Sequence, residues 1–243
     1  MEKINSWNWD DRDIVESTND EAQQQSQISI SEKFIISAKK QLSGRGRRGN
    51  TWQSLTGNLF FSQGLCFDAQ KIGQLVCLSS LSLYQTFQDF IKEDIHIKWP
   101  NDILVNNKKI SGMLLEKGAG DYFIIGIGVN IKSYPTDLNQ NYQATSFLDN
   151  GINIDRLTFL RSYINKFDNN YELWQSQGFS KIKEQWLQFA KGIDDLIIVR
   201  THQENIQGKF MGIGNNGELL LDVNQKIIPI YAGEIFYLDE RKY

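Results

Sequence analysis

The chain has 243 residues, of which 40% are hydrophobic and 12% aromatic, and this is enough apolar material for one large domain or for a medium and a small one. Its net charge of −3 argues against a general affinity for nucleic acid, because broad phosphate binding needs a basic surface. No apolar run approaches the ~18 residues of a membrane span, and residues 1–11 lack the basic and apolar stretches of a signal peptide, so a cytoplasmic protein without membrane contact is expected.

The chain up to about Gly192 alternates strand-like and helix-like runs. Apolar residues at helical spacing predict a long helix over 72–91, and two further amphipathic helices are predicted over 155–174 and 179–189. Strands are predicted at 34–38, 58–66, 96–99, 103–105, 109–116 and 122–131, with a tight hairpin turn at Asn106-Asn107. This order predicts an α+β fold, a mixed and mostly antiparallel sheet backed by helices.

From Asp195 onward the pattern changes to short alternating runs separated by Gly and Asn turns. The runs are 196–201, 206–213, 218–223, 226–231 and 234–238. They predict a small C-terminal SH3-like β-barrel that leans on the main domain, because about 50 residues are marginal alone. The predicted domains are therefore 1–190 and 191–243.

Cysteine and histidine are too sparse for a disulfide framework or a zinc site, since the chain holds two of each and no CxxC pair. Cys66 and Cys77 lie in apolar surroundings, where free cysteine is usually buried. The sequence identifies no metal ligands.

The sharpest local signal is Gly44-Arg45-Gly46-Arg47-Arg48-Gly49. It matches the dinucleotide fingerprint GxGxxG, but residues 50–57 lead into a strand and leave no room for the required helix; nor is it a P-loop. What remains is a flexible loop with three guanidinium groups, whose forked donors fit phosphate and carboxylate oxygens. A solvated basic turn is the alternative.

A second signal is Lys98-Trp99-Pro100-Asn101-Asp102. Ile95 and Ile97 share one face of a strand, so Lys98 points to the other, and Pro100 ends the strand in a rigid turn. A lysine held in this way suits a point charge aimed at a reacting carboxylate and phosphate. The alternative is an ordinary surface lysine on a half-exposed strand.

Two weaker signals remain. Glycines inside the strand patterns of 109–116 and 124–130 indicate either close approach of a flat ligand or bulges in the sheet. Ser17-Thr18-Asn19 precedes a helical run and suits a helix cap, while its hydroxyl and amide groups could also reach a small polar ligand.

Together these segments resemble the biotin protein ligases. The motifs occur in the family's order over 15–131, and the family's C-terminal barrel matches 195–238. They read Ser-Thr-Asn, Gln-x-x-Gly-Arg-Gly-Arg-Arg-Gly-x-x-Trp, Lys-Trp-Pro-Asn-Asp, Lys-Ile-x-Gly-x-Leu-x-Glu and Gly-x-Gly-x-Asn. Each motif is modest alone, so their common order carries the resemblance.

The resemblance implies that 1–190 is a catalytic domain that binds biotin and ATP. Its biotin site would be Ser17, Thr18, Asn19, Gln41, Gly44, Arg45, Gly46, Arg47, Lys98 and Gly112, and its ATP site Arg47, Arg48, Trp52, Lys98 and Asn130. Lys98 and Arg47 would be the catalytic residues, with Lys98 between the biotin carboxylate and the α-phosphate. Asn50 departs from the basic residue that the family usually has there.

The implied activity is that of a biotin–[acetyl-CoA-carboxylase] ligase, with ATP, biotin and Mg²⁺ as cofactors. Biotin would be activated to biotinyl-5'-AMP and transferred to a lysine of a biotin carboxyl carrier protein. Such chemistry needs no enzyme nucleophile, which agrees with a chain that offers arginines, a lysine and glycines but no Ser-His-Asp set.

Several alternatives stay open at this point. A lipoate or octanoate ligase would share the fold, and a biotin-binding sensor would bind without transfer; a nucleic-acid module is disfavoured by the acidic balance. Only sixteen residues precede Ser17, so a ligase without a DNA-binding domain is expected. The sequence does not give the oligomeric state, and a homodimer is compatible with it.

Overall fold

The computed structural model describes residues 2–30, 32–136 and 143–238; the predicted domains also include residues 1, 31, 137–142 and 239–243, which lie outside this part. The strands are β1 (Glu2–Ile4), β2 (Trp7–Val15), β3 (Phe34–Gln41), β4 (Leu59–Cys66), β5 (Ile95–Lys98), β6 (Asp102–Val105), β7 (Lys108–Lys117), β8 (Tyr122–Val129), β9 (Leu196–Arg200), β10 (Asn205–Ile213), β11 (Leu219–Val223), β12 (Lys226–Ile230) and β13 (Glu234–Tyr237). The helices are α1 (Thr18–Ile28), α2 (Ile72–Phe90), α3 (Arg156–Gln177) and α4 (Phe179–Phe189).

The first eight strands form one sheet in the order β1-β2-β3-β4-β8-β7-β6-β5. Only β2 and β3 pair in parallel; the other neighbours are antiparallel. Asn106 and Asn107 have φ of 48° and 63°, which confirms the predicted hairpin turn between β6 and β7. The predicted α+β fold class is therefore confirmed.

Strands β1 and β2 were not predicted from the sequence. Trp7 and Trp9 alternate with polar residues and point into the core, with exposed fractions of 0% and 5%. The middle of β2 carries Asp10, Asp11 and Asp13, and these charged residues interrupt the apolar–polar alternation in the sequence.

Helices cover both faces of the large sheet. Helices α2, α3 and α4 pack on one face through the main hydrophobic core, whereas α1 covers the other face, where Ala22 packs on Phe34 and Ile124. Cys77 is buried in the main core, as predicted, and burial raises the pKa of its thiol; Cys66 is only half-buried. No helix in the described ranges has the length and apolar character that crossing a bilayer requires.

An aromatic cluster joins α2 to α3. The Phe159 ring is fully buried, with its centroid 5.0 Å from that of Phe87 and 5.5 Å from that of Phe147. We expect Phe159→Ala to lower the free energy of unfolding by about 3–5 kcal/mol, because it removes a buried ring and leaves a cavity. Urea unfolding measures this, with Tyr231→Ala as the control at a 73% exposed position; a loss equal to that of the control would contradict the packing.

The last five strands form a second antiparallel sheet in the order β12-β11-β10-β9-β13, at the place predicted for the small barrel, and we call it the small sheet. Its turn at residues 214–217 docks against the start of α2. Gln74 Nε2 donates to the Asn215 carbonyl at 2.8 Å, and Trp99 Nε1 donates to the Gly217 carbonyl at 3.2 Å. The small sheet thus contacts the Lys98-Trp99 segment directly; the domain boundary at 190/191 stays a prediction.

Candidate active site

One cavity collects most of the predicted site residues. It lies where α1, the strands β7 and β8, the Lys98–Asp102 turn and the small sheet meet. The predicted residues that line it are Ser17, Thr18, Asn19, Gln41, Arg45, Gly46, Arg47, Arg48, Trp52, Lys98 and Gly112. Gly44 and Asn130 do not line it. The Asn130 side chain instead donates to the Thr145 carbonyl at 3.0 Å.

The start of α1 forms a buried polar corner of this cavity. Ser17 caps the helix, with its Oγ accepting from the Asn19 amide at 3.2 Å, so the predicted cap is confirmed. The Thr18 amide and hydroxyl both donate to Gln41 Oε1, at 2.8 and 3.0 Å. Asn19 Nδ2 donates to Glu116 Oε2 at 2.6 Å. These hydrogen bonds fix the hydroxyl and amide groups in one orientation.

Glycines on β8 make room for two side chains of the site. A Cβ at Gly126 would lie 2.2 Å from Asn19 Oδ1, and one at Gly128 would lie 2.3 Å from the Trp52 ring. The pairing of β8 with β4 and with β7 runs through both glycines without a register shift. Close approach, rather than a bulge, therefore explains these glycines.

The segment 44–52, here called the arginine loop, closes on itself. The Gly46 amide donates to the Asn50 carbonyl at 2.7 Å, and the Trp52 amide donates to the Gly44 carbonyl at 2.9 Å. Residues Arg47–Gly49 form a short 3-10 turn that leads toward β4, so no helix follows the glycines and the rejection of a dinucleotide fold is confirmed.

The three arginines of the loop have different surroundings. Arg45 forms a bidentate ion pair with Asp20 at 2.8 and 2.6 Å, and this carboxylate raises the pKa of Arg45. Arg48 points to the small sheet, where it donates to the Arg200 carbonyl at 2.8 Å. The loop is therefore more ordered than the alternative of a solvated basic turn requires, because each guanidinium has a protein partner, although Arg45 and Arg48 stay exposed.

Arg47 differs from Arg45 and Arg48 in the charge of its partners. Its Nη1 donates to Asn101 Oδ1 at 3.2 Å and to the Gly233 carbonyl at 3.3 Å, both neutral acceptors. No acidic side chain in the described part of the chain forms an ion pair with it, and burial lowers the pKa of Arg47. A half-buried cation whose hydrogen-bond acceptors are neutral favours the entry of an anion.

The cavity also holds two lysines. Lys98 is 8% exposed, and its Nζ lies 5.5 Å from the centre of the Tyr237 ring, so the alternative of a surface lysine is wrong. Lys109 Nζ lies 2.7 Å from Asp102 Oδ1, and the same Nζ lies 5.5 Å from the Trp52 ring centre.

Lys109 was not assigned a role from the sequence, although it begins the Lys-Ile-x-Gly motif. The signal in the sequence was only its place at the start of this motif; the pairing of Asp102 with Gly112, which brings the carboxylate close to Lys109, is visible only in the structure. The structure thus adds an ion pair of Lys109 and Asp102 to the predicted site residues.

Residues 12–130 match the model of the Biotin/lipoate A/B protein ligase family, and residues 197–238 match that of the Biotin protein ligase C terminal domain. A biotin--[acetyl-CoA-carboxylase] ligase from Paracoccus denitrificans is 32% identical, over 83% of this chain and 89% of the relative. The bifunctional ligase/repressor BirA from Bacillus subtilis (strain 168) is 34% identical, over 92% and 72% respectively. The chain belongs to the biotin protein ligase family.

Solved structures agree with this membership. The biotin protein ligase from Aquifex aeolicus, in complex with biotin and ATP, superposes with a TM-score of 0.81 at 25% identity, over 94% of this chain and 97% of that chain. Lipoate ligases share the first family model, whereas the C-terminal model and both relatives above are named for biotin ligases or for BirA. The predicted family and enzyme class are confirmed.

Proposed function

We propose that this biotin protein ligase activates biotin with ATP to biotinyl-5'-AMP and transfers the biotinyl group to a lysine of a biotin carboxyl carrier protein. The observation that carries the proposal is the meeting of Arg47, Lys98 and Lys109 around one cavity beside the polar start of α1. These cations come from three separate segments of an acidic chain, and they fit a ligand that brings both a carboxylate and phosphates.

The polar corner suits the ring of biotin. Ser17, Thr18 and Gln41 offer buried donors and acceptors, and a cyclic urea needs both kinds; the bonds from Thr18 to Gln41 and from the Asn19 amide to Ser17 fix their directions. The indole N–H of Trp52 is buried and has no acceptor among the described residues. A bound ligand that accepts this hydrogen bond would remove the cost of an unsatisfied donor.

The first step joins the acid to the nucleotide. A carboxylate oxygen of biotin attacks the α-phosphorus of ATP, the bond from this phosphorus to the bridging oxygen breaks, and pyrophosphate leaves with the electron pair. Negative charge grows on the α-phosphate during this step. Arg47 and the two lysines stabilise that charge, while Asp102 holds Lys109 in place, so positioning and electrostatics supply the catalysis.

The second step transfers the biotinyl group. The neutral amine of the carrier lysine attacks the mixed anhydride carbonyl, an amide bond forms, AMP leaves with the electron pair of the broken bond, and the amine loses a proton. No side chain of the enzyme forms a covalent bond in this scheme, so the site needs no activated serine or cysteine.

Magnesium is expected to enter with the triphosphate. No cluster of three or more metal-binding side chains occurs among the described residues, and the nearby carboxylates Asp102 and Glu116 are paired with Lys109 and Arg45. This donor set fits an ion held mainly by phosphate oxygens and water, and the chemistry above does not pass through it.

We place the reaction in the cytoplasm, and the proposal holds for a monomer or a homodimer.

The deciding experiment is transfer to a carrier. The protein is mixed with ATP, magnesium, biotin and a candidate carrier domain, and a mass increase of one biotinyl group on the carrier is expected. Lipoate or octanoate in place of biotin tests the related ligase activity. A protein that binds biotin but releases no pyrophosphate and labels no carrier would be a sensor, and that result would contradict the proposal.

Gly126 offers a test of the biotin pocket. We expect Gly126→Ala to weaken biotin binding about tenfold to hundredfold, because the added Cβ would displace Asn19 and overpacking of this kind costs about 1–3 kcal/mol. Isothermal titration of biotin measures the change. Ile125→Val is the matched control, since Ile125 precedes Gly126 on β8 and belongs to the main core; equal effects of both changes would refute the assignment.

A further inference from the structure

Ser62 contacts the polar corner of the cavity from the large sheet, although it does not line the cavity itself. It belongs to β4 and is fully buried. Its hydroxyl oxygen lies 2.8 Å from Thr18 Oγ1 and 2.5 Å from Asn19 Oδ1. One buried serine therefore contacts two residues of the predicted biotin site, and the sequence motifs gave no indication of it.

The Asn19 amide reaches across three neighbouring strands, β4, β8 and β7. Ser62 on β4 and Gly126 on β8 are register partners, and a Cβ at Gly126 would lie 2.2 Å from Asn19 Oδ1. On the other side of β8, Glu116 of β7 accepts from Asn19 Nδ2 at 2.6 Å. The missing side chain of Gly126 thus leaves room for a single amide group that joins Ser62 to Glu116.

The chemistry of these two partners determines which way the Asn19 amide faces. A carboxylate only accepts hydrogen bonds, so Glu116 attracts the NH₂ end of Asn19 and repels its carbonyl oxygen. That oxygen then faces Ser62, whose one hydroxyl proton it accepts. The Thr18 hydroxyl can give its own proton to Gln41 Oε1 at 3.0 Å or to Ser62 Oγ at 2.8 Å. In either case, a lone pair of the Thr18 oxygen is left for a ligand.

We propose that Ser62 and Glu116 are positioning residues for the ring of biotin. Together they fix the Asn19 amide and leave the Thr18 oxygen as an acceptor for an N–H group of the cyclic urea. The inference rests on the proposed function, because it concerns the ligand of the same cavity. Neither residue takes part in the two chemical steps, so their loss should weaken biotin binding and leave the chemistry intact.

Isothermal titration of biotin tests the positioning role. We expect Ser62→Ala and Glu116→Gln each to raise the Kd for biotin about threefold to tenfold, the scale of one hydrogen bond. Glutamine keeps the size of Glu116 but can face either end of the Asn19 amide, so the preferred orientation is lost. The Glu116 side chain is 29% exposed, which makes this change tolerable for the fold.

Glu116 Oε2 also lies 3.4 Å from Arg45 Nη2, and a double variant separates the two partners. In the Asn19→Ala background, Glu116→Gln should have no further effect on the Kd for biotin, because the amide that it orients is gone. An effect of the same size in that background would assign the role of Glu116 to Arg45 and would overturn its part in the inference.

Ser79→Ala is the matched control for Ser62→Ala. Ser79 is also fully buried, but it lies on α2 and its hydroxyl donates to the Leu75 carbonyl at 2.8 Å. It should leave the Kd for biotin unchanged, and thermal unfolding of each variant shows whether the fold is intact. A Kd for folded Ser62→Ala equal to that of the parent protein would overturn the inference.

Kinetics of pyrophosphate release distinguish positioning from a general structural loss. Ser62→Ala and Glu116→Gln should raise the KM for biotin about threefold to tenfold while kcat and the KM for ATP stay within about twofold. A fall in kcat with an unchanged KM for biotin would contradict the inference. The titration needs no turnover, so a parent protein that binds biotin but labels no carrier would refute the proposed function and leave the positioning role testable.

Discussion

Lys109→Ala is expected to lower the rate of biotinyl-adenylate formation by at least about 10²-fold, the usual effect of losing one preorganised charge contact. Lys109 lies in the cavity within 2.7 Å of Asp102, and the two side chains are only 13% and 15% exposed. The variant removes a cation and also leaves Asp102 as a shielded carboxylate that repels phosphate. Pyrophosphate release with biotin and ATP measures the rate.

Two further variants make this result specific. Lys108→Ala removes the neighbouring lysine on β7 and should leave the rate nearly normal. Asp102→Asn keeps the Lys109 ammonium but removes the carboxylate that holds it in place. A smaller loss of rate is therefore expected than for Lys109→Ala. A rate for Lys109→Ala close to that of the Lys108 control would remove Lys109 from the chemistry.

Lys98→Ala belongs to the same experiment, because Lys98 is the catalytic lysine predicted from the sequence. A loss of at least about 10²-fold is expected here too. The two lysines differ in their surroundings, since the Lys98 ammonium faces the ring of Tyr237 on the small sheet whereas Lys109 faces Asp102 and Trp52. Near-normal turnover of Lys98→Ala together with loss in Lys109→Ala would assign the charge at the reacting acid to Lys109.

The strands and helices that have a clear local apolar pattern could be predicted from the sequence. Strands with unbroken apolar runs, such as β8, and helices with a clear apolar face, such as α2, were predicted to within a few residues. Motif order also brought Ser17, Arg47 and Lys98 into one predicted site, and all three line one cavity. Local patterns of this kind can be recognised in the sequence because the burial of each position determines whether its residue is apolar.

Features that depend on distant pairing were missed. The ion pair of Lys109 and Asp102 arises where the pairing of β6 and β7 shifts between Ile103 and Leu104, a register that local patterns do not determine. Arg48 meets the carbonyl of Arg200, 152 positions further along the chain. Its partner depends on how the small sheet docks, so composition and spacing around residue 48 carry no information about it.

Arg47→Gly is expected to form the adenylate but to release it at least about tenfold faster than the parent protein. The half-buried Arg47 guanidinium donates to the neutral acceptors Asn101 and Gly233, so the phosphate of a bound adenylate would be its charged hydrogen-bond partner. A hydrogen bond to a charged group contributes about 1.5–3 kcal/mol, which corresponds to a tenfold to hundredfold change in lifetime. The lysines and Arg45 remain, so formation of the intermediate should continue. Release is followed by isolating the complex with labelled intermediate and chasing it with unlabelled biotin.

Glycine changes backbone freedom as well as charge, and Arg47→Met separates the two effects because it keeps the bulk of the side chain. Faster release in both variants would assign the effect to the lost guanidinium, whereas faster release in Arg47→Gly alone would assign it to the loop backbone. Arg161→Met, on α3 beside Trp9, is the control for loss of one arginine elsewhere. If the intermediate stays bound to Arg47→Met as long as to the parent protein, the anion-binding role of Arg47 is wrong. The cavity would then hold its anion through the lysines, and the Arg47 guanidinium would serve only to join the arginine loop to the small sheet through the hydrogen bond to Gly233.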